Sequence, residues 1–237
     1  MKILAIECSA TPCSAAISDN GKIIAIAFTN VKMTHSQTLM PMIKSLLEIS
    51  NTEIDSIEGF AVSAGPGSFT GVRIGISAVK GLAAARKIPC IPVSTLRAMA
   101  ENYSDTDCTV CAVMDARCNQ VYNANFKIQD GKITRLCKDR ALLCEELRGE
   151  IHYLSKNTNR IIIVGDGAEV FYPYVKDIKN VSISHWRHRF QSAEGVAVAA
   201  LENINNEDFS SPEELKPVYL RLPQAERELK RKKEQNL

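Results

Sequence analysis

Metal or general-base chemistry would rest first on the four histidines, at positions 35, 152, 185 and 188. No two are four residues apart, so no helix presents the paired imidazoles of a HExxH or HxxxH zinc site. His185 and His188 flank Trp186-Arg187 in an expected loop. His35 stands beside Thr34 and Ser36 near an expected helix start, where a structural or interfacial role fits best. No Gly-x-Ser-x-Gly elbow occurs. Cys8 and Cys13, near the first turn, would be nucleophiles only with a basic partner that the sequence does not reveal. Cys108 and Cys111 form a CxxC inside Cys108-Thr-Val-Cys-Ala-Val-Met114, which reads as a buried strand. Positions i and i+3 of a strand point to opposite faces, so the two sulfurs diverge and neither zinc nor dithiol chemistry is expected there. No catalytic residue and no metal ligand is assigned.

Two carboxylates and one loop are better placed for binding. Glu7 ends the apolar run Leu4-Ala-Ile6, and Asp115 ends Ala112-Val-Met114. A carboxylate at a strand end can hold a metal–phosphate. The run Ser63-Ala-Gly-Pro-Gly-Ser-Phe-Thr-Gly-Val-Arg-Ile-Gly75 reads as a strand, a tight turn and a helix start that Ser68 or Thr70 can cap. Free amides at such a start bind anions, but the end charge contributes only about 0.3–1 kcal/mol, too little to hold a nucleotide alone. No Gly-Lys-Ser/Thr follows, so this is not a phosphate-binding Walker loop.

Those groups sit at equivalent points of an internal duplication. Each strand-end carboxylate is followed by a second strand-like stretch, Ser14–Ile17 or Val121–Phe126, and then by Asn20-Gly21 or Asp130-Gly131. Asn-Gly and Asp-Gly favour type I′ hairpin turns, whose central residues need positive φ. Helices are expected over about 35–50, 70–87 and 95–103 in the first half, with strands at Gly59–Ser63 and Cys90–Val93. The second half repeats this with a weak helical stretch at 141–155, strands at Ile161–Val164 and Val181–Ser184, a short helix after Gly165-Asp-Gly167, and a helix at 192–205. Each half reads βββαβαβα. Two such copies are the pattern of the actin-like ATPase (sugar kinase/Hsp70/actin) fold, an α/β fold with a cleft between the copies. The expected division is a first lobe over 1–104, a second over 105–222, and a tail over 223–237. The two hairpin turns are expected to face each other across the cleft. The expected cleft contacts are Glu7, Ser9, Asp115, Arg117, Gly165, Asp166 and Gly167, with a glycine loop of Gly65, Pro66, Gly67, Ser68, Phe69, Thr70 and Arg73.

Composition narrows the class. Of 237 residues, 45% are apolar and 24% charged, an ordinary globular balance. No apolar run reaches the roughly 18 residues of a membrane span, and Glu7 within the first apolar run argues against a secretory signal. The net charge of +2 is carried by the tail, where Arg227, Lys230, Arg231, Lys232 and Lys233 outnumber Glu226, Glu228 and Glu234. The remainder is neutral, too little for a chain that grips nucleic acid alone. The tail is expected as a solvated helix, with a docking arm for an acidic partner or RNA as the alternative. Eight cysteines in a chain this long point to reduced thiols in a cytoplasm rather than to disulfides.

The helices of the first half look apolar on more sides than one core needs. Val72, Ile76, Val79 and Ala83 make one stripe of the 70–87 helix, while Gly71, Gly75, Ala78, Leu82 and Ala85 make a second, mostly small one. Glycine in a helix costs roughly 1 kcal/mol relative to alanine, so two on one line imply close approach of another backbone. In the 35–50 helix, Leu39, Met40, Met42, Ile43, Leu46 and Leu47 cover about 160°, wider than the roughly 100° stripe of a helix on one core. Part of this would be the two helices packing on each other. The remainder is expected to be a protein–protein interface including His35, with Gly75→Leu blocking a partner while the chain stays folded.

Six ordered motifs resemble the bacterial TsaB (YeaZ) family of tRNA threonylcarbamoyladenosine biosynthesis proteins. They are Gly65-Pro-Gly-Ser-Phe-Thr-Gly-Val-Arg-Ile-Gly75, Ile3-Leu-Ala-Ile-Glu-Cys-Ser9, His35-Ser-Gln-Thr-Leu-Met-Pro41, Asp115-Ala-Arg117 with Val121-Tyr122, Gly165-Asp-Gly167, and Pro217-Val-Tyr-Leu-Arg221. The resemblance spans about residues 1–222 and departs at Gln37, where the family often has an acid. It implies a non-catalytic scaffold working with a catalytic paralogue, TsaD, which carries the HxxxH that this chain lacks, and with the ATPase TsaE. Together such proteins transfer threonylcarbamoyl to the adenosine beside the anticodon of ANN-decoding tRNAs. The resemblance also implies pairing through first-lobe helices, as a homodimer or with the paralogue, and indirect contact with tRNA. No cofactor is required of this chain, ATP and magnesium entering through the complex. The rival readings are an actin-like ATPase or phosphotransferase using Glu7, Asp115 and Gly165–Gly167, a glycoprotease-like peptidase, and a homodimeric assembly factor without an RNA link.

Overall fold

The computed structural model describes residues 1–221. The expected basic tail lies outside the described residues. The first half runs β1 (Lys2–Glu7), β2 (Cys13–Asp19), β3 (Lys22–Thr29), α1 (His35–Ile49), β4 (Gly59–Gly65), α2 (Phe69–Ala84), β5 (Cys90–Ser94) and α3 (Thr95–Ala100). The second runs β6 (Cys108–Arg117), β7 (Gln120–Gln129), β8 (Lys132–Arg135), β9 (Arg140–Leu143), α4 (Cys144–Ser155), β10 (Ile161–Val164), α5 (Ala168–Phe171), β11 (Val181–Ile183) and α6 (Ala193–Asn205).

The two sheets have orders β3-β2-β1-β4-β5 and β8-β7-β6-β10-β11, so the duplication expected from sequence is present. In each, the strand ending in the carboxylate pairs antiparallel with its hairpin neighbour and parallel with the next crossover strand. The extra strand β9 pairs with β7 and replaces the start of the helix expected over 141–155. The Leu143 amide donates to Glu146 Oε2 at 2.8 Å, which starts α4 one residue later. The turn residues Asn20, Gly21, Asp130 and Gly131 all have positive φ, as type I′ turns require.

The halves are not separate packing units. One core lies between the first sheet and helices α1 and α2 and includes Leu39, Ile43, Val72 and Ile76. On the sheet's other face α6, from the second half, packs Ala193, Val196, Ala197 and Ala200 against Ile3, Ala5 and Ala16. In return α3 places Leu96 and Met99 against Val110, Ala112 and Phe126 of the second sheet. After α6 the chain returns to the first lobe. Ser210 bridges Cys90, Leu215 enters the first core, and the Val218 amide donates to the Ala64 carbonyl at 2.7 Å. Periodicity cannot reveal this crossing, because it shows that a face is apolar but not what covers it.

The CxxC behaves as its strand predicts. Cys108 faces the core beneath α3, while Cys111 faces that beneath α4 and α5.

Candidate functional site: a cleft between the lobes

The cleft opens at the carboxyl ends of β1 and β6, as a cavity of about 580 Å³. Its walls are the turn after β1, the glycine loop, the turn after β6 and the returning segment Val218–Arg221. Here one expectation fails. The turns that face each other are those after β1 and β6, not Asn20-Gly21 and Asp130-Gly131. The Asn20 amide donates to the Met1 carbonyl, which places that turn at the opposite end of β1. A hairpin reverses the chain, so the turn after a second strand returns to the end where the first began.

Of the expected cleft residues, Ser9, Asp115, Arg117 and Asp166 line the cavity, as do Pro66, Gly67, Ser68, Phe69 and Thr70 of the glycine loop. Glu7 does not. It is fully buried, and its Oε1 accepts the Ser9 amide at 2.5 Å. Its Oε2 has no hydrogen-bond partner among the described residues. Burial pushes its carboxyl above the usual carboxylate range, partly offset by Ser9. Gly165 and Gly167 also lie behind the wall. A Cβ on Gly165 would fall 1.9 Å from the Val113 carbonyl oxygen, and one on Gly167 would fall 2.8 Å from the Asp115 nitrogen. These glycines let the turn after β10 lie directly on β6, which aims Asp166 into the cleft. The Gln191 side-chain amide donates to Asp166 Oδ1 at 2.7 Å. Loss of hydration nevertheless moves the Asp166 carboxyl up to about 6, with Asp115 adding repulsion.

Two contacts join Asp115 and Arg117 at the end of β6. Asp115 Oδ1 accepts the Arg117 amide at 2.8 Å, and its Oδ2 pairs with the Arg117 guanidinium at 3.1 Å. Arg117, Cys118 and Asn119 all adopt left-handed backbone conformations. Such conformations cost energy in non-glycine residues and often mark sites where strain serves a function.

The glycine loop packs against the turn after β1. Ser68 caps α2, its Oγ accepting the Gly71 amide at 3.2 Å. The Ser68 amide donates to the Ser9 carbonyl at 2.6 Å. A Cβ on Gly67 would meet that same oxygen at 2.5 Å, and one on Gly71 would meet the Cys8 carbonyl oxygen at 2.0 Å. The close backbone implied by the glycine stripe is therefore the chain's own. Gly75 likewise faces Val62, Cys8 and Ile6 in the core.

This corrects the expected interface. Leu39, Met42, Ile43, Leu46, Gly71 and Gly75 are buried within the chain. Gly75→Leu would overfill the core rather than block a partner. His35 lies at the cavity wall, where its Nε2 donates to the Ala10 carbonyl at 2.7 Å. Ala78 and Leu82 are half-buried and Ala85 is exposed, so these three remain on the outer surface. With Met40 and Leu47 of α1, Leu82 borders a shallow groove of about 380 Å³.

The segment after α6 was missed as a structural part of the site. Tyr219 stacks on Phe69 with centroids 4.7 Å apart, and the Arg73 guanidinium sits 5.1 Å from the same ring. The Arg221 guanidinium donates to the Ala116 carbonyl at 2.8 Å. Residues 217–221 thus tie the glycine loop of one lobe to the β6 turn of the other. The motif Pro217-Val-Tyr-Leu-Arg221 was visible, but nothing in its spacing pointed to the cleft.

Comparison with known proteins agrees with this architecture. The solved structure of a Pseudomonas aeruginosa protein similar to peptidase YeaZ matches with a TM-score of 0.79 and 27% identity, covering 93% of this chain and 99% of that one. Component A of the Acidaminococcus fermentans (R)-2-hydroxyglutaryl-CoA dehydratase matches at a TM-score of 0.50 and 13% identity, a likeness of fold alone. The molecule is a duplicated actin-like protein with a cleft between its lobes. Residues 24–226 match the family model described as TsaD, tRNA N6-adenosine threonylcarbamoyltransferase. The TsaB protein of Escherichia coli is 31% identical over 93% of this chain and 95% of its own length, and that of Bacillus subtilis is 29% identical over 75% and 76%. The chain belongs to the TsaB family of tRNA threonylcarbamoyladenosine biosynthesis proteins.

Proposed function

We propose that this chain serves the formation of N6-threonylcarbamoyladenosine in tRNA as a non-catalytic subunit. It docks a TsaD-like catalytic paralogue, works with a TsaE-like ATPase, and meets tRNA through the assembled complex. The observation that carries this reading is the 31% identity to a TsaB protein along nearly the whole of both chains. The absence of an HxxxH pair from the sequence favours a supporting role over catalysis. ATP and magnesium belong in this proposal to the complex. Here Arg117 is paired with Asp115, Arg221 is bonded to the Ala116 carbonyl, and Tyr219 fills the space beside the glycine loop. The test is nucleoside mass spectrometry of tRNA from cells depleted of the chain. Loss of threonylcarbamoyladenosine, restored by the wild-type chain, is expected. An unchanged level would sink the proposal.

The docking surface follows from what the core leaves outside. Met40 is 46% exposed on α1 and, with half-buried Leu47, borders a groove with Leu82 of α2, along whose same side Ala78 and Ala85 lie. A standard interface of roughly 1,600 Å² would cover such a pair of helices. A charge at the centre of an apolar contact typically costs at least about 2 kcal/mol, more than tenfold in affinity. Met40→Asp is therefore expected to weaken pairing with the paralogue, or with a second copy, more than tenfold by light scattering. Its melting temperature should stay within a few degrees of wild type, since Met40 lies outside the core. Full affinity in the folded variant would rule out this helix surface.

A further inference from the structure

Eight cysteines are free, and two of them have sulfurs in contact. Cys8 and Cys13 flank the turn after β1, with Sγ atoms 3.8 Å apart. The β1–β2 ladder closes with Glu7 opposite Ser14, and one further step of that register sets Cys8 opposite Cys13. Either kind of antiparallel pair holds its Cα atoms about 4.5 or 5.5 Å apart. Both spacings fall within the roughly 4.4–6.8 Å that a disulfide needs. Joining them would move side chains and the turn rather than the sheet.

We propose that Cys8 and Cys13 form a reversible disulfide under peroxide, a redox modification site that fixes the wall of the cleft. The two thiols differ in character. Contact with Cys8, helped by Thr38 and His35 of α1 and opposed by burial, lowers the Cys13 thiol below the usual thiol range. Cys8 is pushed up by its contact with Cys13 and by burial. Cys90 and Cys108, buried without such partners, are pushed up to about 11. Peroxide selects thiolate character together with access. Both sulfurs are buried, so in this proposal oxidation requires the Ser9–Thr11 turn above them to open. The Cys13 thiolate attacks a peroxide oxygen, the O–O bond breaks and hydroxide leaves, giving a sulfenic acid. The Cys8 sulfur then attacks the Cys13 sulfur, forming the S–S bond. The sulfenic oxygen departs as water with the Cys8 proton. Two thiols and one hydrogen peroxide give one disulfide and two waters.

The consequence lies in what the turn touches. Residues Ser9–Thr11 line the cavity, the Ser9 carbonyl accepts the Ser68 amide, and the Ala10 carbonyl accepts His35. Shortening the sulfur separation to the roughly 2.05 Å of a disulfide pins both ends of this turn. The glycine loop and α1 rest on it. The inference is independent of the tRNA role.

The full chain is treated with hydrogen peroxide, denatured, alkylated and digested with trypsin. The peptide Ile3–Lys22 holds both residues and no other cysteine. It is expected to lose two hydrogens and take no alkyl group, and to take two after treatment with a dithiol reductant. In Cys13→Ser the same exposure should leave Cys8 open to alkylation. A peptide taking two alkyl groups, under conditions that oxidise the exposed Cys118, would overturn the proposal. So would sulfinic acid at Cys13 without a bridge. Amide hydrogen exchange over Ser9–Thr11 should slow in the bridged form, and an unchanged rate would remove the locking of the cleft.

Discussion

Gly71→Ala is expected to lower stability by about 2 kcal/mol, although alanine is the better helix former. The added Cβ would lie 2.0 Å from the Cys8 carbonyl oxygen. That oxygen belongs to the turn whose next carbonyl bonds the Ser68 amide, so it cannot retreat without breaking the glycine loop's anchor. Overpacking against backbone costs about 1–3 kcal/mol and sometimes more, whereas the helical gain of alanine over glycine is only about 1 kcal/mol. The clash wins. For a chain of this length about 2 kcal/mol corresponds to a fall of roughly 4–8 °C in melting temperature. Gly81, on the same helix, supplies the contrast, because a Cβ there meets nothing within 4 Å. Gly81→Ala should raise the melting temperature by about 2–4 °C. Calorimetry of both variants decides the matter. A Gly71→Ala chain as stable as wild type would show that the turn after β1 is not packed as described.

Stability should also fall as pH rises from about 4 to 6, through two dehydrated carboxyls, Asp166 at the cleft wall and Glu7 sealed behind Ser9. Glu7 and Asp166 both have folded values raised by loss of hydration, with Asp166 adding repulsion at Glu7 and Asp115 adding it at Asp166. A raised carboxyl binds its proton more tightly in the folded chain. Its contribution is complete below the unfolded value and is lost as pH climbs through the folded one. For Asp166, with an ordinary value of 3.8 moved to about 6, that window is roughly pH 4–6. Two units correspond to about 3 kcal/mol at most, and to less here, because Asp166 is partly wetted by the cleft it lines. Asp166→Asn should flatten the profile in that window while Asn Oδ1 still accepts from Gln191. Glu7→Gln should stabilise more at pH 8 than at pH 5, since it removes a buried charge without emptying the site. Melting temperatures of the three proteins from pH 4 to 8 test this. Parallel profiles would mean that neither carboxyl is as dry as its position indicates.

The duplication was legible because it is local. Strand-end carboxylates, hairpin turns and the order of helices and strands repeat in the chain itself, and both sheets formed with matching orders. The glycine loop and its serine cap were legible for the same reason: both depend on neighbours a few residues apart. The residues expected to dock a partner were chosen on an apolar stripe. An apolar stripe reports burial but not the covering partner. Leu39, Ile43 and Gly75 turned out to be covered by the chain's own sheet and turn. Met40, Leu47 and the outer side of α2 stay exposed or half-buried, and the docking proposal rests on them.

By itself, the sequence determined the two-lobed α/β architecture, the divergence of Cys108 from Cys111, and the lack of a paired-histidine metal site. Each follows from spacing along one element. Tertiary structure alone decided which turns meet across the cleft, that Glu7 is sealed behind Ser9 while Asp166 faces in, and that α6 and residues 217–221 cross to the first lobe. It also decided that Cys8 lies against Cys13. These depend on where separate elements come to rest, and a strand's own pattern fixes which way a side chain points but not what it meets.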